Sequence, residues 1–587
     1  MPGGLLNIIA YGNQNIILNG NPSKTFFKVV YAKYTNFGIQ KFRLDYVGTR
    51  DLDPNDDSVY SFKIPRNAEL LLGTYLVLTL PDIWSTILPP LYLGDIWKPY
   101  QFKWIKNLGT SIIKNVRIII GNQTIQEYTG EYIKCIVERD FNESKKKMFN
   151  IMSGNMPELY SPENYGGNRN NNYPNAFFTS NINGQEPSIR GRKIYVPLNP
   201  WFMNNSKLAL PLVCLQYSEM IIEVTLRPIK EIFTINNIKS LTNITNTASS
   251  ETEAAALQLY ETKLTELYNR IQPSFTNEYH NLYRFLQPPP NIELTESDYS
   301  NKVNNWNADV HLISDYCFLS PEESKIFALN EQKYLIKDVK ESNYYNLVGA
   351  TKVKINSNAL VSSWMWYYRR NDAYIRNEWS NYTNWQYSTL PFKLNASEKT
   401  MAYLYAGETT EKQHNGPYYD SIASSDANTG STISTLIPTN HKITPIFSSE
   451  NNKSILNRFA IVIDGKYREN ELDSGVYSYI EKYRASPGNS DIGIYNYNFC
   501  INTDDLNQPS GALNLSRFKN IEFEMTLLTP EVNPDAVTLT LCDDNNGVIG
   551  ITKPVDQYIY TYEMHLFEER FNIIRFISGN AGLLYAR

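Results

Sequence analysis

The chain of 587 residues is too long for one ordinary core, and roughly two to four domains are expected. Its composition, 42% hydrophobic and 20% charged, fits a soluble globular protein, and a formal net charge of -5 gives no general attraction to nucleic acid. Five widely spaced cysteines (Cys135, Cys214, Cys317, Cys500, Cys542) with no CxxC pair argue against a disulfide framework or a zinc knot and fit a reducing compartment.

The N-terminal stretch "MPGGLLNIIAYGNQNIIL" carries an apolar patch but neither a basic n-region nor a small-residue cleavage site, so no signal peptide is expected. Pro2 stands where N-myristoylation needs glycine, and no window reaches the 18 apolar residues of a spanning helix. Over residues 21–46, Phe27, Val29 and Tyr31 fall on one side, and Phe42, Leu44 and Tyr46 alternate with Lys41, Arg43 and Asp45. That period of two predicts half-buried antiparallel strand, with a bulge or bend where the phase slips between Ile39 and Phe42.

Further strands are predicted over 69–81 and 115–128, the second a hairpin turning at Gly121-Asn122. "NESKKKMF" contains the densest basic run, Lys145 to Lys147, and reads as a solvated loop. After a polar Asn/Gly-rich loop, 153–190, strand signals return over 193–202 and 208–226. An Asn/Thr/Ser-rich stretch beginning near Asn236 reads as an insertion. Inside it, Leu257, Tyr260, Leu264, Leu267 and Ile271 recur at helical spacing, with a Ser250/Glu253 capping box and a stop at Pro273. A second helix is predicted over 320–335, opening Ser-Pro-Glu-Glu. Strands resume over 458–470, 492–501, 520–530 and 558–579, and 409–440 reads as a long exposed loop.

Two segments recur in order. "VRIIIGNQTIQE" matches "FAIVIDGKYRENE" as an apolar run, a Gly-containing turn and a polar return. "LALPLVCLQYSEMIIEVTL" matches "GALNLSRFKNIEFEMTL", each with Ala-Leu-x-Leu and a Glu-x-Thr-Leu end. The order predicts tandem duplication of one all-β domain, and the absence of βαβ alternation favours sandwiches or jelly rolls over closed barrels.

Chemistry is sparse. The five histidines do not cluster, and no HExxH, GxSxG, GxGxxG or P-loop is present. "DLDPNDD" at 51–57 lacks the glycine and the terminal Glu of a calcium loop and reads as a polar turn. "RNEWSNYTNWQY" at 376–387 spaces Trp379, Tyr382 and Trp385 three apart, which fits a sugar platform, a subunit contact or, more commonly, core packing. The sequons at Asn381, Asn395 and Asn514 are ordinary for an Asn-rich chain. No residue is assigned a catalytic, cofactor-binding or metal-binding role.

The N-terminal sequence with Ala10-Tyr11-Gly12, Gly20-Asn21-Pro22, Thr25-Phe26-Phe27-Lys28 and Tyr34-Thr35-Asn36-Phe37 resembles the start of the major capsid proteins of nucleocytoplasmic large DNA viruses. "IYVPLNPWFMNNSKLALPLVCLQYSE", "DYCFLSPEESKIFALNEQKYLI", "QPSGALNLSR" and "FNIIRFISGNAGLLYAR" are similar to that family's later segments, in its order. Departures are a less basic connector and longer segments at 236–304 and 409–440.

The resemblance implies an all-β double jelly roll, two tandem eight-stranded antiparallel sandwiches with long loops and a few short helices. It implies an N-terminal segment 1–23, a first roll 24–319 with a helical insertion about 236–304, a helical connector 320–333 and a second roll 334–587, with "NADVHLISDYCFL" as the first roll's last strand. It further implies a structural, non-enzymatic subunit of an icosahedral virion shell, built in host cytoplasm. Homotrimeric pseudo-hexagonal capsomers would touch neighbouring capsomers, minor capsid proteins and an underlying membrane, without direct nucleic-acid contact. Alternatives are a minor or paralogous double jelly-roll capsid protein and, from another class, a glycan-binding β-sandwich.

Overall fold

The computed structural model describes residues 3–29, 31–46, 48, 51–88, 98–165, 173–176, 186–236, 238, 270–290, 299–384, 454–489, 493–504, 508–529, 539–542, 548–552 and 561–585. The helix expected within 250–271 lies outside them except at its end, where Arg270–Ile271 is a short strand: Ile271 pairs with Ile235, so no helix reaches Pro273. The 409–440 loop and Trp385 also lie outside the described residues.

Eight strands build the first sandwich: β1 (Phe37–Leu44), β2 (Ser58–Ile64), β3 (Leu70–Leu80), β4 (Ile113–Ile120), β5 (Gln123–Tyr128), β6 (Arg192–Pro197), β7 (Met220–Leu226) and β8 (His311–Leu319). One sheet runs β1-β8-β3-β6, and the facing sheet β2-β7-β4-β5. Eight more build the second: β9 (Gln332–Leu347), β10 (Ala350–Ile355), β11 (Leu360–Arg370), β12 (Leu456–Ile463), β13 (Lys466–Asp473), β14 (Ile494–Asn498), β15 (Ile521–Leu527) and β16 (Tyr562–Ile577). Its sheets run β9-β16-β11-β14 and β10-β15-β12-β13. Adding eight to every label of the first sandwich gives the second, and all these neighbours are antiparallel. This is a tandem double jelly roll.

The two repeats seen in the sequence fall on equivalent elements. Hairpin β4–β5 turns at Gly121-Asn122 and hairpin β12–β13 at Asp464-Gly465, where both residues have positive φ (46° and 77°), as a tight two-residue turn matching strand twist requires. Strands β7 and β15 carry the two Glu-x-Thr-Leu ends and bury alternate residues in the same phase, Met220, Ile222, Val224 and Leu226 against Ile521, Phe523, Met525 and Leu527.

Several expectations are corrected. Strand β1 begins at Phe37; Phe27, Val29 and Tyr31 lie in an exposed, strandless segment whose aromatics find no facing sheet. No bulge occurs between Ile39 and Phe42, because β1 pairs with β8 in unbroken register from Phe37↔Leu319 to Leu44↔Leu312. The apparent phase slip arises because Phe37 and Ile39 are exposed while Phe42 and Leu44 turn inward. The second helix stops early: α3 (Pro321–Leu329) is capped by the Ser320 hydroxyl accepting from the Glu323 N–H, and β9 starts at Gln332, so Lys333, Tyr334 and Leu335 are strand. The three lysines belong to a helix, α2 (Glu143–Met152), started by the Asn142 side chain accepting from the Lys145 N–H.

Candidate assembly surfaces and the junction between the rolls

Strand β11 is buried along nearly its whole length, on both faces. Trp364, Trp366 and Tyr368 point into the second roll's own core, where Trp366 stacks on Phe459 with centroids 4.7 Å apart. Met365 and Tyr367 point the other way, into the apolar cluster of the first roll, together with Ile336, Val339, Phe567 and Ile574. Sheet β9-β16-β11-β14 is therefore the middle layer between two cores, and its polar residues must be paired.

Helix α1 (Gly130–Asp140) supplies the pairing from the first roll. It starts directly after β5, capped by Thr129, whose hydroxyl accepts from the Tyr132 N–H. At Gly130 the helix abuts the backbone of the β4 entry, where a Cβ would sit 1.9 Å from the Thr110 carbonyl oxygen, so only glycine fits. At the other end Arg139 is 1% exposed and crosses to β16, its guanidinium donating to both Glu569 carboxylate oxygens (2.9 and 3.1 Å) and to Ser363 Oγ (3.2 Å). Asp140 takes two further bonds from it at 2.7 Å. Tyr132 and Ser363 hydroxyls also donate to Glu569, and Lys337 Nζ lies 3.5 Å away. Burial alone would raise the Glu569 carboxyl, but Arg139 and Lys337 overcome it and hold the group well below the usual carboxylate range. Burial likewise opposes the charge on Arg139, and Asp140 and Glu569 more than restore it.

A second bridge lies beside the first. Arg227 of the first roll donates to Glu131 (2.8 Å) and Glu231 (3.2 Å), and Arg369 of β11 approaches Glu131 and Glu563 at 3.9 and 3.7 Å. Trp379 lies against both guanidinium groups, 4.2 Å from that of Arg227 and 5.4 Å from that of Arg369, and its indole N–H donates to the Glu231 carbonyl. Asn377 donates to the carbonyls of Lys230 and Phe233, both at 2.7 Å. Tyr382 packs against Tyr367 with centroids 4.1 Å apart and rings tilted by 31°, under the Lys134 ammonium. The aromatic segment after β11 is thus the second roll's clasp on the first, and the Trp379 and Tyr382 rings are buried where a sugar platform would need them open.

Other sequence features are local. Asp53 accepts from the N–H groups of Asn55 and Asp56, a polar turn whose carboxyl those bonds hold below its ordinary value. Lys145 lies over the Phe141 ring and Lys146 pairs with Glu138, so the basic run braces α2 against α1. Asn381 spends its side-chain oxygen on Thr383, and Asn514 caps the turn at Ser516. Cys135, Cys214, Cys317 and Cys500 are free and buried; burial pushes the thiol of Cys135 up to about 12 and that of Cys214 to about 11. Among the described residues no group of three or more His, Cys, Asp and Glu could hold a metal, and no helix is long and apolar enough to cross a membrane.

Arg139, Glu569 and Arg369 were not recognisable as bridging residues from the sequence alone. The one available signal was the consecutive charges Glu568-Glu569-Arg570 at the middle of a sixteen-residue strand, between Leu566-Phe567 and Phe571.

Among the described residues, the longest run of exposed apolar side chains is at the N-terminus. Residues 3–29 form single helical turns (Leu6–Ile9, Ile16–Asn19) and extended chain, with Leu6, Ile9, Leu18, Phe26 and Phe27 all exposed. Phe37 and Ile39 at the start of β1, and Ile326 and Leu329 of α3, are exposed as well.

Paired antiparallel sandwiches in this strand order define the class as a double jelly roll. The quasi-atomic model of the PBCV-1 virus capsid has this fold, with a TM-score of 0.56 at 17% identity over 96% of this chain and 100% of that one. So does the Faustovirus major capsid protein, with a TM-score of 0.54 at 12% identity over 97% and 96%. The family model "Major capsid protein N-terminus" matches residues 25–261, and "Large eukaryotic DNA virus major capsid protein" matches 323–582. Over the full length of both chains, identity is 23% to the major capsid protein of Phaeocystis pouchetii virus and 21% to that of Paramecium bursaria Chlorella virus 1. It is 24% to probable capsid protein 4 of Acanthamoeba polyphaga mimivirus, over 91% of this chain and 94% of that one. The chain belongs to the major capsid proteins of large eukaryotic DNA viruses: it is a structural protein of the virion capsid.

Proposed function

We propose that three copies of this chain form a homotrimeric, pseudo-hexagonal capsomer, and that these capsomers tile an icosahedral shell assembled in host cytoplasm. The observation that carries this reading is the strand-for-strand equivalence of the two rolls: one chain offers two like blocks, and a threefold axis multiplies them to six. The ion contacts between the rolls, Arg139 with Glu569 and Arg369 with Glu131, support it further, since blocks in a shell must keep a fixed mutual orientation.

The division of labour follows the same outline: N-terminal segment 1–23, first roll 24–319, connector 320–333 and second roll 334–587. Ordered strand in the first roll starts at Phe37, and α3 occupies the connector. Neighbouring capsomers, minor capsid proteins and an underlying membrane are the partners, with no direct nucleic-acid contact. The subunit is non-enzymatic, with no catalytic, cofactor or metal centre; the buried carboxylates and guanidinium groups at the junction serve to join the rolls.

Light scattering after size exclusion tests the assembly. The expected species has about three times the chain mass of 67.6 kDa. A chain that stays monomeric at high concentration would overturn the homotrimer.

A further inference from the structure

The N-terminal arm is unusual in charge as well as exposure. Residues 1–44 contain Lys24, Lys28, Lys33, Lys41 and Arg43 and no Asp or Glu, so they carry +5. With -5 for the whole chain, residues 45–587 carry -10. Three of the lysines are threaded among strongly exposed apolar residues: Ile17, Leu18, Phe26, Phe27 and Val29 are each at least 84% exposed. Lys24 Nζ stands 5.0 Å from the Phe26 ring centre, and Phe27 reaches 98% exposure. No side chain of the sandwiches covers them.

Two kinds of surface could take up such a segment. Protein interfaces enrich aromatics but deplete lysine from their cores, so a second copy would have to bury Lys24 and Lys28 beside Phe26 and Phe27, or leave those rings half covered. A lipid headgroup region suits both at once. Apolar and aromatic side chains enter the acyl boundary, lysine stems run outward to the phosphates, and Tyr suits the depth between. The absence of any acid across 44 residues removes the repulsion that an anionic surface would otherwise meet.

We propose that residues 5–34 dock on an anionic lipid surface, with Leu6, Ile9, Ile17, Leu18, Phe26 and Phe27 entering the interface and Lys24, Lys28 and Lys33 pairing with lipid phosphates. This deepens the membrane-partner part of the proposed function and rests on it. Residues 21–29 and 31–36 lie in no strand, and sixteen residues, at roughly 3.3 Å each, span up to about 50 Å, which gives the docked turns their reach from β1.

Flotation of the full-length protein with phosphatidylcholine vesicles, with and without 30% phosphatidylserine, tests it. The comparison proteins are Lys24→Glu/Lys28→Glu/Lys33→Glu and Phe26→Ser/Phe27→Ser, read beside light-scattering mass and melting temperature. Binding is expected only with phosphatidylserine, weakening as salt rises. Each lysine is worth roughly fivefold, so reversing three charges costs at least on the order of 100-fold, with melting unchanged because Lys24, Lys28 and Lys33 lie exposed on the arm. Failure of the parent protein to float on anionic vesicles, or equal flotation of parent and variants, would overturn the proposal. Loss of trimer mass in the Phe variant without vesicle binding by the parent would overturn it in favour of a second copy as the occupant. A monomer that still floats through its lysines sustains the lipid contact while removing the homotrimer, so the two readings fail separately.

Discussion

Removing the Arg139 guanidinium would leave the Glu569 carboxylate buried with Lys337, 3.5 Å away, as its nearest remaining cation. Breaking a buried pair from one side costs about 3–5 kcal/mol, so Arg139→Met is expected to lower stability by that order in a denaturant titration. Glu569→Gln is expected to cost less, because Arg139 keeps both bonds to Asp140. The two also differ with pH. The Glu569 carboxyl is held below the roughly 4.3 of an unfolded Glu, so its stabilisation is complete above that value and is lost as pH falls toward the folded one. Melting temperatures between pH 5 and pH 3 should therefore fall more steeply for the parent than for Glu569→Gln. Parallel curves would mean that Glu569 is not the acid-sensitive group. At the second bridge, Trp379→Ala removes a buried ring and both cation contacts and is expected to cost about 3–5 kcal/mol.

At the scale of elements, α1 separates packing from propensity. An alanine is worth up to about 1 kcal/mol over glycine in an open helix, so propensity alone predicts that Gly130→Ala stabilises. The position 1.9 Å from the Thr110 carbonyl predicts the reverse, a loss of several kcal/mol that a thermal melt would show. This difference also marks what was legible in the sequence. Strands β7 and β15 were readable because one face meets a core and the other does not, so alternation is written into their residues. The hairpin turns were readable because tight turns restrict residue type. The apolar run of β11 says only that it is buried, and nothing in it says that its two faces meet different cores. For Trp379 and Tyr382 packing was the commoner expectation, and a sugar platform or subunit contact stayed open because ring spacing is silent about what lies opposite. The arm looked like strand because alternation alone does not supply a partner.

For the whole molecule the question is whether two sandwiches behave as one body. Rolls joined by a linker and a small polar contact would move and melt independently, which is the ordinary expectation for neighbouring domains. Here one apolar cluster takes in Met365, Tyr367, Ile494 and Phe567 from the second roll with the interior of the first, and the ion contacts Arg139 with Glu569 and Arg369 with Glu131 cross between the rolls beside it. Unfolding the first roll alone would expose the middle sheet's outer face and take Arg139 and Tyr132 away from Glu569 and Glu131 away from Arg369. That cost couples the transitions, so calorimetry of the parent chain is expected to show one dominant endotherm. The coupling resides at the junction and not in either core, so Arg139→Met/Trp379→Ala should split the endotherm in two, where a core change such as Phe523→Leu should shift it intact. Two resolved transitions in the parent would mean that the rolls are independent blocks. A capsomer would then owe its rigidity to contacts between chains, because the junction within each chain would not hold its two blocks in register.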